Sequence, residues 1–132
     1  MKIEEHQESY KEHKETIFRW ALEVIGIENS QRIIGLHASR AVLDLLSIYL
    51  LKNGKITAGK QINHRWFKSL KVSDKLPDFP NKNKIVEKIV ELELLSEKLT
   101  YGSRRPEIEV KKALELFKEL ENNIKNLENG KE

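Results

Sequence analysis

Four histidines are the side chains of this sequence best suited to proton transfer, and they stand at positions 6, 13, 37 and 64. His6 and His13 lie seven residues apart, which is two turns along one face of a helix. Their neighbours Glu5 and Glu12 are adjacent in sequence and so point elsewhere, whereas helical metal sites pair ligands three or four residues apart. The pattern predicts a solvated helix face for His6 and His13, with no metal site and no cofactor.

The middle of the chain concentrates positive charge. Residues 52 to 84 hold nine lysines and arginines against two aspartates. Ile62, Trp66 and Leu70 recur every four residues, which predicts a short helix over about 59 to 71 that buries these three side chains. Its opposite face could neutralise phosphates with little sequence selectivity, although such lysines can also serve only as a solvated surface. The candidate phosphate-binding residues here are Lys60, His64, Arg65 and Lys68.

A second cationic point is the turn that carries Arg104 and Arg105 directly before Pro106. Proline suits the first position of a helix, and backbone N–H groups at a helix start favour anions. Paired guanidinium groups can bind phosphate in a bidentate manner. Arg104 and Arg105 therefore join the candidate phosphate-binding residues, with two solvated arginines that cap the previous helix as the alternative.

Hydrophobic periodicity indicates the helices that would position these side chains. A first amphipathic helix over about 4 to 26 would bury Tyr10, Ile17, Ala21 and Val24. Ser30 is a suitable N-cap for a second helix, which is apolar on nearly every face from about Ile33 to Leu51 and is predicted to be the central element. Small residues on it would allow a neighbouring helix to approach closely: Gly35, Ala38 and Ala41.

The second half of the chain predicts two more long helices. One begins near Asn81 and ends at Tyr101, and the other follows Pro106 with apolar residues at spacings of three and four. The apolar residues of the last helix are Val110, Ala113, Phe117, Leu120, Ile124 and Leu127. With brief connections, the sequence predicts a single all-α domain over residues 1–132, an up-and-down bundle of four long helices plus one short helix.

Composition excludes several classes of protein. The sequence contains no cysteine, which excludes disulfides and thiolate chemistry. It also contains no Gly-x-Ser-x-Gly elbow and no glycine-rich phosphate loop. The uncharged apolar run from Leu45 to Leu51 is too short to span a membrane, and residues 1 to 15 do not resemble a signal peptide. We therefore expect a cytoplasmic protein without a membrane contact.

Three features resemble the HEPN superfamily, the small helical bundles of prokaryotes that often accompany minimal nucleotidyltransferases. These are the helix HASRAVLDLLSIYLLKNG, the stretch from His64 to Leu70 that reads His-x-x-x-Lys-x-Leu, and a Leu/Glu-rich helix running into Tyr101-Gly102-Ser103-Arg104-Arg105. The resemblance covers about residues 15 to 128. It implies a nucleotidyltransferase-like protein partner. We also expect a homodimer, since the apolar stripe of the last helix could form a coiled-coil seam with a second copy.

Many HEPN proteins resemble metal-independent ribonucleases that use an Arg-x4-6-His motif, and Arg32 with His37 matches that spacing. Residues five apart on a regular helix point about 140° from each other, and family members usually carry the motif near a late helix. The leading interpretation is a non-catalytic HEPN-like interaction module that binds RNA or nucleotide phosphates and a protein partner. The alternatives are a toxin-like endoribonuclease of a toxin–antitoxin pair, acting through Arg32 and His37, and a purely structural helical dimer.

Overall fold

The computed structural model describes residues 1–130, so the last two positions of the predicted domain lie outside the described residues. Within that range the chain is helical without a strand, and the predicted all-α bundle is confirmed. We number the long helices α1 (Ile3–Glu15, continued as a π-helix over Thr16–Ile25), α2 (Gln31–Lys52), α3 (Lys82–Tyr101) and α4 (Glu107–Glu128). Three short 3-10 helices join them: Ile27–Asn29, His64–Lys68 and Leu70–Lys75.

Helix α2 is the centre of the bundle, as predicted. Every residue from Ala41 to Leu50 is buried, so all faces of this stretch are covered, and α2 packs against α1, α3 and α4. By length and composition alone α2 could cross a membrane, but 78% of its most apolar window is buried inside the bundle. Its apolar residues therefore form the core that the other three helices surround.

Helices α2 and α3 approach closely at Gly35, which confirms the predicted role of a small residue there. A Cβ atom added to Gly35 would lie 2.7 Å from the Cβ of Leu99 and 3.0 Å from the Oγ1 of Thr100. Those separations are shorter than van der Waals contact. The absence of a side chain at Gly35 thus sets the spacing between the two helices.

The prediction that Val24 is buried was wrong. Val24 is 64% exposed, whereas Ile17 and Ala21 are fully buried. The reason is the π-helix, whose five-residue hydrogen bonds are seen where the N–H of Gly26 donates to Ala21. A wider turn keeps residues four apart on one face and rotates residue 24 away from the core.

The predicted short helix over 59 to 71 was also wrong. The structure has two 3-10 helices, His64–Lys68 and Leu70–Lys75, which turn every three residues. Phe67 and Val72 fill the core, while Leu70 is 55% exposed. Ile62 and Trp66 are partly buried against the core, so the four-residue spacing identified two core contacts, missed Phe67 and Val72, and misplaced Leu70.

The connection between α3 and α4 is held by the buried side chain of Gln31 at the start of α2. Its Nε2 donates to the carbonyls of Leu99 and Ser103, both at 3.1 Å, and its Oε1 accepts from the backbone N–H of Arg105 at 2.7 Å. The Ser30 hydroxyl does not cap α2 as expected, because it donates to the carbonyl of Gly26. A glutamine amide thus fixes the arginine turn against the central helix.

Candidate functional site

Helices α1 and α2 run antiparallel and bring polar side chains together in two matched pairs. His6 and His13 are seven residues apart on α1, as are His37 and Asp44 on α2. His6 Nδ1 donates to Asp44 Oδ1 over 2.8 Å, and the Nδ1 atoms of His13 and His37 lie 2.7 Å apart. The Nε2 of His13 also lies 3.8 Å from Asp44 Oδ2. These four residues therefore form one continuous polar chain between the helices.

The prediction of a solvated face for His6 and His13 was wrong. His6 is buried, with 7% of its surface exposed, and His13 is half-buried. Both rings turn toward α2 because Asp44 and His37 offer partners there, and a buried polar group is costly unless it is hydrogen-bonded.

Burial shifts the proton affinity of the histidine pair. The pKa of His13 is lowered by burial, an effect that nearby Arg40 reinforces and Asp44 opposes. The pKa of His37 is lowered by burial, by His13 and by Arg40. The pair therefore favours the uncharged form of both imidazoles near neutral pH, with a single proton between the two Nδ1 atoms.

A second polar group extends from α2 to α3. Arg40 donates from Nη2 to His64 Nε2 at 3.2 Å and from Nη1 to the carbonyl of Leu36 at 3.0 Å. His64 in turn donates from Nδ1 to Glu93 Oε2 at 3.0 Å, and Glu93 is buried. This hydrogen-bond pattern assigns the Nδ1–H tautomer to His64. Arg40 and His64 are thus held in place from behind by a buried carboxylate.

Two cavities meet at these residues. A cleft of about 500 Å³ between α1, α2 and the segment before Trp66 is lined by His6, His13, Arg40, Asp44 and His64, among others. A cavity of about 270 Å³ between α2 and α3 shares Arg40, His64 and Arg65 with the cleft. We call the first the histidine cleft and the second the serine cavity, since Ser39 and Ser96 line it.

The structure brings together some of the sequence-predicted phosphate-binding residues. Arg65 and Lys68 are exposed beside His64 at the rim of the serine cavity, where Lys68 pairs with Glu97 at 3.0 Å. Lys60 is exposed and lies 3.5 Å from the carbonyl of Lys75. Of the predicted phosphate-binding residues, Arg65 and Lys68 therefore lie beside His64, whereas Lys60 contacts the segment at Lys75.

The arginine turn lies apart from this group. Arg104 donates to the carbonyl of Glu28 at 2.6 Å, and the guanidinium of Arg105 forms a forked pair with the carboxylate of Glu109. Arg32 donates to the carbonyl of Gly102 and lines a separate cleft of about 190 Å³ with Arg104. Arg32 and Arg104 thus connect the two ends of this turn to the start of α2 and the segment just before it, whereas Arg105 pairs within its own segment.

Arg32 and His37 contact different parts of the bundle. Arg32 faces the turn between α3 and α4, whereas His37 contacts His13 on α1. The five-residue separation on a regular helix produces this divergence, as the sequence indicated.

Arg40, Asp44 and Glu93 are the site residues that sequence reasoning missed. The signal was present in α2, where His37, Arg40, Asp44 and Ser47 follow spacings of three and four within an otherwise apolar helix. Such a stripe lies on one helical face. Glu93 offered no comparable signal, because glutamates are frequent throughout α3.

The arrangement offers cations for an anion and histidines for proton transfer. Within residues 1–130 no group of three or more histidine, aspartate or glutamate side chains has the geometry of a metal site. Comparison with known proteins adds no relative: no family model matches the chain, and neither curated proteins nor solved structures give a significant match.

Proposed function

We propose that this chain is a non-catalytic, HEPN-like interaction module that binds the phosphate groups of RNA or of a nucleotide through Arg40, His64, Arg65 and Lys68. The observation that carries the proposal is the fixed pair of Arg40 and His64, held by buried Glu93 at the junction of two cavities. Side chains held before binding lose little conformational entropy when the ligand arrives.

The charges at the junction support an anionic ligand. Arg40 carries further N–H donors beyond the two that contact His64 and Leu36. Arg65 and Lys68 add two exposed cations at the same rim. Glu97 beside Lys68 is exposed, and exposed ion pairs are worth little, so a phosphate can displace it.

Salt-dependent RNA binding tests the proposal. Fluorescence anisotropy of a labelled single-stranded RNA should show binding that weakens steeply with salt, because bound cations release counterions. Arg65→Gln and Lys68→Gln should each reduce the slope of log K against log salt by about 0.7. Arg40→Gln should weaken binding at least tenfold, or about 1.4 kcal/mol.

Lys111→Gln is the matched control, since Lys111 is an exposed cation on α4 that pairs with Glu107 outside both cavities. It should leave the affinity and the salt slope unchanged. Equal losses in Lys111→Gln and Arg65→Gln, or RNA retention that does not depend on salt, would refute this proposal.

A ribonuclease is the second candidate, favoured by two carboxylate–histidine pairs on the histidine cleft. His6, Asp44, His64 and Arg40 line the cleft, and Glu93 holds His64 from the side of the serine cavity. One histidine could take the proton of a 2′-hydroxyl that attacks phosphorus, while the other protonates the departing 5′-oxygen and Arg40 stabilises the phosphorane charge.

Incubation with RNA separates the two candidates. The ribonuclease predicts cleavage that persists in a chelator and is lost in both His6→Ala and His64→Ala. The binding module predicts RNA that is bound and stays intact. Cleavage that survives both substitutions would come from a contaminant and not from this cleft.

The proposal also includes two protein partners, a second copy of this chain and a nucleotidyltransferase-like protein. The HEPN resemblance supports the second of these. Exposed Trp20, Val24 and Ile25 on the π-helical segment supply an apolar surface for a second copy. Light scattering after size exclusion should give twice the chain mass for the wild type and a monomer for Val24→Glu. A wild-type monomer at high concentration would exclude the homodimer, and with it the purely structural helical dimer.

A further inference from the structure

Three buried polar atoms of residues that line the serine cavity have no hydrogen-bond partner within residues 1–130. They are the hydroxyl oxygens of Ser39 and Ser96 and the Oε1 of Glu93, in residues that are only 2%, 3% and 4% exposed. All three residues line the same cavity of about 270 Å³. Since buried polar atoms in folded proteins nearly always have partners, three such atoms at one cavity indicate a surface shaped to meet polar groups of a ligand.

The three residues lie where α2 and α3 pack closely together. Ser39 follows Gly35 by one turn of α2, and Ser96 lies on the facing turn of α3, where the two helices are closest. Glu93 is fixed by the hydrogen bond from His64 Nδ1 to its Oε2 at 3.0 Å, which leaves Oε1 directed elsewhere. The Glu93 carboxylate is therefore held by His64, and the two hydroxyls can rotate to meet a ligand.

The chemistry of the three atoms selects a type of ligand. Glu93 Oε1 accepts a hydrogen bond, and each serine hydroxyl can donate or accept. That set complements an N–H donor next to a ring-nitrogen acceptor, as on the amino edge of adenine or cytosine. A phosphate inside the cavity would meet the Glu93 carboxylate, so an anionic group belongs at the rim.

The mouth of the cavity adds two features that fit a nucleotide. Tyr101 is 76% exposed and lines the cavity, so its ring is accessible to a base, and stacking on an aromatic ring is a common way to hold an unpaired base. Arg65 and Lys68 lie on the same rim as cations for the phosphate.

We infer that the serine cavity is a base-binding subsite for a nucleotide whose base carries an exocyclic amine. This inference rests on the proposed function, because it places the phosphate of the same ligand against Arg65 and Lys68. Glu93 accepts from the amine, a serine hydroxyl donates to the adjacent ring nitrogen, and Tyr101 stacks on the base.

Calorimetric titration of the full chain with matched nucleotides tests the inference. AMP carries an amine at the ring position where IMP carries a carbonyl. CMP and UMP differ in the same way. We expect AMP to bind about tenfold more tightly than IMP, and CMP about tenfold more tightly than UMP, which is the scale of one good base contact. Ribose 5-phosphate, which lacks a base, measures the phosphate contribution alone.

The double variant Ser39→Ala with Ser96→Ala should bind AMP and IMP within about twofold of each other. Its melting temperature should be equal to or above that of the wild type, because it removes two unpaired buried hydroxyls. Glu93→Gln should lose the same preference for AMP over IMP. If Glu93→Gln does not fold, the double serine variant alone tests the preference. Ser103→Ala, an exposed serine outside the cavity, is the control and should keep the full preference for AMP.

The outcomes separate this inference from the proposed function. Ribose 5-phosphate or RNA binding with no preference for AMP over IMP would overturn the base subsite and leave the phosphate site standing. A preference that persists in the double variant would also overturn it. Failure of RNA, ribose 5-phosphate and every nucleotide to bind the wild-type chain would overturn both.

Discussion

The Nδ1 atoms of His13 and His37 lie 2.7 Å apart, so the two rings share a single proton across the contact between α1 and α2. Their ring centroids are 5.0 Å apart. A second proton in the contact would set two N–H groups against each other and place a positive charge next to Arg40, which already lowers the pKa of both histidines. This helix contact is therefore built for uncharged imidazoles.

The free energy of unfolding should fall as the pH decreases below about 6.5, the ordinary pKa of histidine. The folded pKa of each ring is lowered, so the unfolded chain binds more protons than the folded chain between the two pKa values. The stabilisation is complete above 6.5 and is lost as the pH falls toward the folded pKa. Urea unfolding at pH 7.5, 6.5 and 5.5 measures the trend.

The variant with His13→Asn and His37→Asn is the comparison, since asparagine does not titrate. Its free energy of unfolding should change less over the same pH range, whatever its absolute stability. Glu121, whose pKa is also lowered, titrates below this range. Parallel pH profiles for the wild type and the variant would show that the histidine pair does not cause the dependence.

Phe67→Ala should destabilise the protein by about 3–5 kcal/mol, the usual cost of removing a buried phenylalanine. Phe67 is fully buried in the 3-10 helix that carries His64 and Arg65. Leu70→Ala, at a 55% exposed position, should change stability by less than about 0.5 kcal/mol. Chemical denaturation measures the free energy of unfolding of both variants. A larger loss of stability in Leu70→Ala than in Phe67→Ala would favour the regular helix that the sequence predicted.

The two substitutions mark where sequence periodicity failed. Periodicity predicted α2 and α4 well because their apolar residues are buried against several helices, as Phe117 and Leu120 are. It failed around Phe67 because 3-10 turns change which residues share a face. The apolar spacing of four residues fitted an α-helix that does not form.

The candidate site was predictable only in part. His64, Arg65 and Lys68 were identified by charge and local spacing, since they are neighbours in sequence. The pairing of His6 with Asp44 depends on the register of two antiparallel helices, which no local pattern specifies. Glu93 became part of the site because α3 places it behind His64, a tertiary relationship.

Gly35→Ala should destabilise the bundle by about 1–3 kcal/mol, the cost of overpacking a tight contact. The added Cβ would lie 2.7 Å from the Cβ of Leu99, and this clash exceeds the roughly 1 kcal/mol that alanine gains over glycine in a helix. Gly59→Ala is the control, because an added Cβ there meets no atom within 4 Å. Thermal unfolding of both variants gives the comparison, and a Gly35→Ala protein at least as stable as the wild type would contradict the close approach.

Tyr10→Phe should cost about 1 kcal/mol, because it removes a hydrogen bond from the tyrosine hydroxyl to the carboxylate of Glu121 that joins α1 to α4. Burial, and then Glu121, raise the pKa of Tyr10 well above its ordinary value, and Lys14 holds the same carboxylate at 2.8 Å. Tyr101→Phe, at an exposed tyrosine, should leave stability unchanged. Urea unfolding measures both variants, and absorbance titration should show Tyr10 ionising well above the ordinary pKa of tyrosine. Equal stability for the two variants would mean that Lys14 and Lys125 stabilise the Glu121 carboxylate without the tyrosine hydroxyl.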